Sequence, residues 1–212
     1  ENYLKYLPKP ATVENMSIAH DPAYIRAIEI GNLSKQQQTK LGLPWSETLL
    51  QRSFLAPSGT LLAAQLALQT GVACHAAGGT HHAHWDFGAG FCVFNDLAYA
   101  ARALIAMKLA QRILILDCDV HQGDGTASIL SNDMDIFTCS IHCAENYPQK
   151  KANSDLDFPI PRGSGDEEYL STLAQCLNEL DRINFVPDLI LYDAAVDAVS
   201  YTHLTLPTTP YV

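Results

Sequence analysis

Two polar clusters, each set directly behind a short apolar run, constrain this 212-residue chain more than any other feature. The first is Gly78-Gly79-Thr80-His81-His82-Ala83, behind the apolar stretch 72–77. The second is Asp117-Cys118-Asp119-Val120-His121-Gln122-Gly123-Asp124-Gly125, where the stretch 113–117 ends. Ligands of open α/β sheets gather at the carboxyl ends of the strands, so this placement predicts a sheet with a site along one edge. Unpaired charges are too costly to collect at strand ends without a metal or a proton to serve. Two adjacent imidazoles, three carboxylates and a third imidazole form the inventory of a metal-assisted hydrolase. Asp117, Asp119 and His121 share one parity, so an extended backbone would aim all three to one side. Gly123 and Gly125 permit the tight turn that returns Asp124 to the same place.

The rest of the pattern is that of a single α/β domain with a mainly parallel sheet. Strand candidates are 72–77, 113–117, 136–141 and 189–192, and helical stretches lie between several of them. Helices are expected over 21–30, from an N-cap at Ser46 through Leu50 and Phe54, over 58–69 and over 96–107, with Asp96 near the last one's start. The run Asp166-Glu167-Glu168 favours the N-terminus of a helix continuing through Leu170 and Leu180. A hydrophobic content of 48% suffices for one sizeable core. Thirteen basic against twenty-three acidic residues give a net charge of -10, which argues against a grip on nucleic acid or anionic membrane. No apolar run approaches the roughly 20 residues of a membrane span. The six cysteines form no CxxC pair and read as free thiols, which suits the cytoplasm, or the nucleus in a eukaryote. Cys139 and Cys143 read as packing thiols, and His20, His75, His84 and His142 as structural. A chain that starts at Glu1 rather than Met is expected to be a fragment.

These motifs resemble the zinc-dependent histone deacetylases and their bacterial relatives in the arginase/deacetylase superfamily. The similarity rests on residues 78–83, on Gly90-Phe91-Cys92-Val93-Phe94-Asn95-Asp96, on 117–125 and on Leu191-Tyr192-Asp193-Ala194-Ala195-Val196-Asp197. Leu43-Pro44-Trp45-Ser46, and Ser154-Asp155-Leu156-Asp157 followed by Gly163-Ser164-Gly165-Asp166, look most like the class IV branch and its bacterial members. The resemblance implies a three-layer fold and a deacylase that hydrolyses the amide of N-acetyl-lysine. It implies zinc held by Asp119, His121 and Asp197. His81, partnered by Asp117, would hydrogen-bond the attacking water, and His82, partnered by Asp124, would protonate the leaving amine. Gly90 and Phe91 would line the acyl-lysine channel, and Asp117, Asp119, His121 and Ser140 would serve a potassium ion.

The chain departs from that pattern near its end. Ala195 stands where the family usually has Gly, and the His and acidic pair expected after Asp197 are replaced by a Thr-rich stretch. Residues 1–198 are therefore expected to be a partial deacetylase domain, and 199–212 a non-native tail resembling translated adaptor or vector sequence. The family's oxyanion tyrosine has no match here, and its loss would cost on the order of 100- to 1000-fold in rate. Two alternatives stay open: a deacylase of acetylated polyamines or other small acyl-amines, and an inactive acyl-lysine binding fragment.

Overall fold

A computed structural model describes residues 5–195, so Asp197 and the 199–212 tail lie outside the described residues. The elements run α1 (Val13–Met16), α2 (Pro22–Glu29), α3 (Lys35–Leu41), α4 (Glu47–Thr70), α5 (Asp96–Ala106), β1 (Ile113–Asp117), α6 (Asp124–Leu130), β2 (Ile136–Cys143), β3 (Leu156–Ile160), α7 (Asp166–Arg182) and β4 (Leu189–Asp193). Among the described residues no helix is long and apolar enough to cross a membrane.

The four strands form one parallel sheet in the order β3-β2-β1-β4. Strand β1 shows why it is sandwiched. Its residues alternate between two cores, as a period of two requires. Ile113 and Ile115 face a layer built from α2, α4 and α5, with Ile25, Ile28, Phe54, Phe94 and Leu104. Leu114 and Leu116 face the other way, against Cys139, Ile141, Ile160 and Cys176 of α7. The three-layer α/β expectation is met.

Several helix boundaries follow local chemistry. Asp21 caps α2 by accepting from the Ala23 amide at 2.8 Å, with Pro22 at the first helical position where its missing N–H costs nothing. Ser46 caps α4 at the Leu49 amide, and Gly42 ends α3 in the left-handed region at φ 77°. The two helices expected from Ser46 and over 58–69 are one continuous helix, which carries Pro57 in its interior.

One strand expectation is overturned. Residues 72–77 form no strand: Val72 is 77% exposed, and the segment pairs with nothing in the sheet. An apolar run takes up strand geometry only where it joins a sheet edge, and among the described residues this segment joins none. In its place β3 adds the fourth strand. Its Pro159 is tolerated because β3 lies at the sheet edge.

Because Ile115 is buried between α-helical layer and sheet, Ile115→Ala should cost about 2–4 kcal/mol in urea denaturation. Ile190→Ala, at a position 52% exposed, should stay within about 1 kcal/mol of the parent.

Candidate active site

The His81-His82 loop has no strand to hold it, so its position is fixed by the N-terminus of α5. Asn95 caps that helix through the Ala98 amide at 2.9 Å, while its Nδ2 donates to the carbonyls of His81 and Ala83, each at 3.1 Å. Asp96 is fully buried and accepts four hydrogen bonds: from the Thr80 amide and hydroxyl at 2.7 Å, the Gly79 amide at 3.1 Å and the Thr60 hydroxyl at 2.5 Å. A carboxylate removed from water is sustained only by such saturation. From the opposite side α6 presses close, since a Cβ at Gly125 would sit 2.2 Å from the Ala83 oxygen.

Two imidazole–carboxylate pairs result. His81 Nδ1 lies 2.6 Å from Asp117 Oδ2, and His82 Nδ1 lies 2.7 Å from Asp124 Oδ1, with the two rings 4.2 Å apart. Each Nδ1–H donates to its carboxylate, which leaves Nε2 as the working nitrogen. A Cβ at Gly123 would come 2.4 Å from Asp117 Oδ2, so only glycine lets that loop lie against the pair. Asp119 and His121 converge through a bend rather than through the extended run that parity assumed: Asp119 Oδ1 accepts from the His121 amide at 2.7 Å and lies 2.8 Å from His121 Nδ1 and 3.9 Å from His81 Nε2. This puts a hard oxygen and an imidazole nitrogen side by side, donors that suit a divalent ion. Asp197, the third expected ligand, lies outside the described residues. Ser140 stands beside Asp117 in the sheet register and bonds His142 Nδ1 at 3.0 Å.

Three residues escaped the sequence. Asp193, at the end of β4, pairs in register with Asp117 and brings its carboxylate within 4.0 Å of His81 Nδ1. Its Oδ2 is buried with no hydrogen-bond partner, alone in this among the described residues. His81, Asp117 and Asp193 also place one ligand atom each within 4.8 Å of one another, a second geometry that could hold an ion. The signal for Asp193 was present, since it ends an apolar strand as Asp117 does. Tyr147 sets its ring edge against His82 at 4.8 Å and reaches His121 at 6.3 Å. His84, expected to be structural, bonds the second oxygen of Asp124 at 3.1 Å. Of the expected channel residues, Gly90 lies against His82 and Phe91 is exposed. A Cβ at Gly90 would meet His82 at 2.5 Å, and Phe91, with φ 65°, is 69% exposed with its ring over Gly42.

The two histidines differ electrostatically. Burial pulls His81 down, but the charge and hydrogen bond of Asp117, with Asp119 and Asp193, outweigh it and raise the group to about 10. Burial also lowers His82, and there the neighbouring His81 and His121 reinforce it against Asp124. Burial and the charge of Asp117 push Asp193 up against the opposing pull of His81. Burial would raise Asp124, yet its bonds to His82 and His84 hold it well below the usual carboxylate range.

Asp96→Ala strands four donors and should cost about 3–5 kcal/mol in chemical denaturation. For His81 the folded value lies above the ordinary 6.5. Its contribution to the metal-free fold is therefore complete below about pH 6.5 and is lost as pH rises through about 10. The stability gap between the parent and His81→Gln should accordingly narrow across that window in denaturation curves.

The chain is similar to several known proteins. The histone deacetylase domain matches residues 2–206. An uncharacterised protein of Picosynechococcus is 49% identical over 195 residues, covering 92% of this chain and 64% of its own length. Histone deacetylase 2 of Arabidopsis thaliana is 30% identical, covering 93% and 48%. Acetoin utilization protein AcuC of Bacillus subtilis is likewise 30% identical, covering 93% and 56%. Among solved structures, a histone deacetylase homologue from Aquifex aeolicus superimposes with a TM-score of 0.74 at 26% identity, over 87% of this chain and 55% of that one. An HDAC homologue complexed with SAHA gives 0.75. The chain thus spans about half to two thirds of the length of these relatives.

Proposed function

The chain belongs to the histone deacetylase family, and from that premise we propose that it carries the proton-transfer face of a zinc-dependent deacylase cleaving N-acetyl-lysine to lysine and acetate. The observation that carries this is the pair of buried imidazole–carboxylate units 4.2 Å apart, beside the converging Asp119 and His121. Asp119 and His121, with Asp197, are the residues that would hold zinc. When bound, that ion supplies Lewis acidity for the amide carbonyl and an acidified water. Asp117 and Ser140, adjacent in register, would with Asp119 and His121 serve potassium.

The chain's own residues supply the rest. His81 orients the attacking water through Nε2, because Asp117 fixes its Nδ1–H. With Asp119 committed to an ion, one carboxylate fewer would hold the His81 proton, and the imidazole would move toward a range useful for proton transfer. His82, tautomerically fixed by Asp124, delivers a proton to the departing amine. Gly90 lets the loop lie against His82, while the Phe91 and Tyr147 rings offer apolar walls for lysine methylenes. The net charge of -10 suits a basic or neutral acyl-lysine protein or a small acyl-amine.

Acetate release from an N-acetyl-lysine peptide by the zinc-loaded full-length protein should fall about 100- to 10,000-fold in His82→Ala and disappear on chelation. Release that survives both changes would sink the mechanism. Faster turnover of an acetylated polyamine than of the peptide would reassign the substrate to small acyl-amines.

A further inference from the structure

Asp124 serves two imidazoles rather than one. Its Oδ1 accepts from His82 Nδ1 at 2.7 Å and its Oδ2 from His84 Nε2 at 3.1 Å, so both oxygens face a histidine donor. The second histidine is rigidly mounted. Its amide donates to the Phe87 carbonyl at 2.9 Å, closing the turn over 84–87, and its ring stacks on Phe87 at 4.4 Å and 22°. Its carbonyl accepts from His20 Nδ1 at 2.9 Å. The direction of that bond is fixed, because His20 Nε2 accepts the Asn95 amide at 2.8 Å and Nδ1 must therefore carry the hydrogen. On the far side of Phe87 the Lys40 ammonium sits 3.2 Å from the ring centroid. His84 is thus held by its backbone, by one ring face and by Nε2, with its side chain 18% exposed.

We propose that His84 is a positioning residue, which holds the Asp124 carboxylate and limits how strongly that carboxylate pulls on the Nδ1 proton of His82. The inference rests on the reading of His82 as a proton-transfer group. A donor on Oδ2 draws carboxylate charge away from Oδ1, so the His82 hydrogen bond is weaker than it would be with Asp124 undivided. On Asp117 the second oxygen is taken by a backbone donor instead of a second imidazole, the Asp119 amide at 3.0 Å, and a further carboxylate, Asp193, stands near His81. The two pairs therefore differ in kind, one carboxylate shared between two rings and one ring set among several carboxylates.

The test compares His84→Leu with His84→Gln, whose side-chain amide can replace the lost Nε2–H donor. In the full chain labelled with 15N-histidine and held at one pH, the His82 Nδ1 proton should move downfield in His84→Leu and stay near the parent position in His84→Gln. An unmoved resonance in the leucine variant, or equal shifts in both, would overturn the proposal. In the zinc-loaded full-length protein, kcat should fall roughly 10-fold in His84→Leu with KM unchanged, and recover in His84→Gln. An unchanged kcat in the leucine variant would equally overturn it. A parent protein that releases no acetate would instead count against the deacylase reading, and the resonance would still decide the role of His84.

Discussion

The N-terminus of α5 is the fixed point of this molecule. Asn95 and Asp96 gather the amides of Gly79 and Thr80 and the carbonyls of His81 and Ala83 on a segment that belongs to no sheet, and the Thr126 amide adds a further donor to the His81 carbonyl. The backbone that carries His81 and His82 is thus held by two neighbouring side chains, and the rings are then oriented by Asp117 and Asp124. The arrangement uses a helix terminus, where amides and caps already concentrate, as the clamp for a functional loop.

The sheet supplies the other half of the site. Parallel register sets Asp117, Ser140 and Asp193 at one level across β1, β2 and β4, so the ends of β1 and β4 and an interior position of β2 carry polar groups side by side. Glycines then decide how closely the two halves meet. Gly123, Gly125 and Gly90 each occupy a place where a methyl group would collide with a site atom or with the backbone that carries one.

Much of this was legible in the sequence, and the gaps have physical causes. The strands β1, β2 and β4 announced themselves as apolar runs, and the pairings of His81 with Asp117 and His82 with Asp124 followed from the family resemblance. Residues 72–77 misled because hydrophobicity reports burial and not the presence of a strand edge to pair with; the polar loop behind them is anchored by a helix instead. Strand β3 was missed because its Leu156-Asp157-Phe158-Pro159-Ile160 run has a charge and a proline, tolerable only at an edge. Tyr147 and His84 were missed for a different reason: each matters through a contact with residues far away along the chain, and local pattern is silent on that.

The pairing of β1 with β4 carries a kinetic consequence. Asp117 and Asp193 become neighbours only when two segments widely separated in sequence, with β2, β3 and α7 between them, close into a parallel ladder. Such closures are slow, since the chain entropy is lost before the contacts repay it. The loop clamp at α5, by contrast, joins residues fewer than twenty positions apart. The histidine loop therefore carries a small closure cost and the carboxylate wall around His81 a large one, so the site's charge depends on the most distant pairing in the sheet.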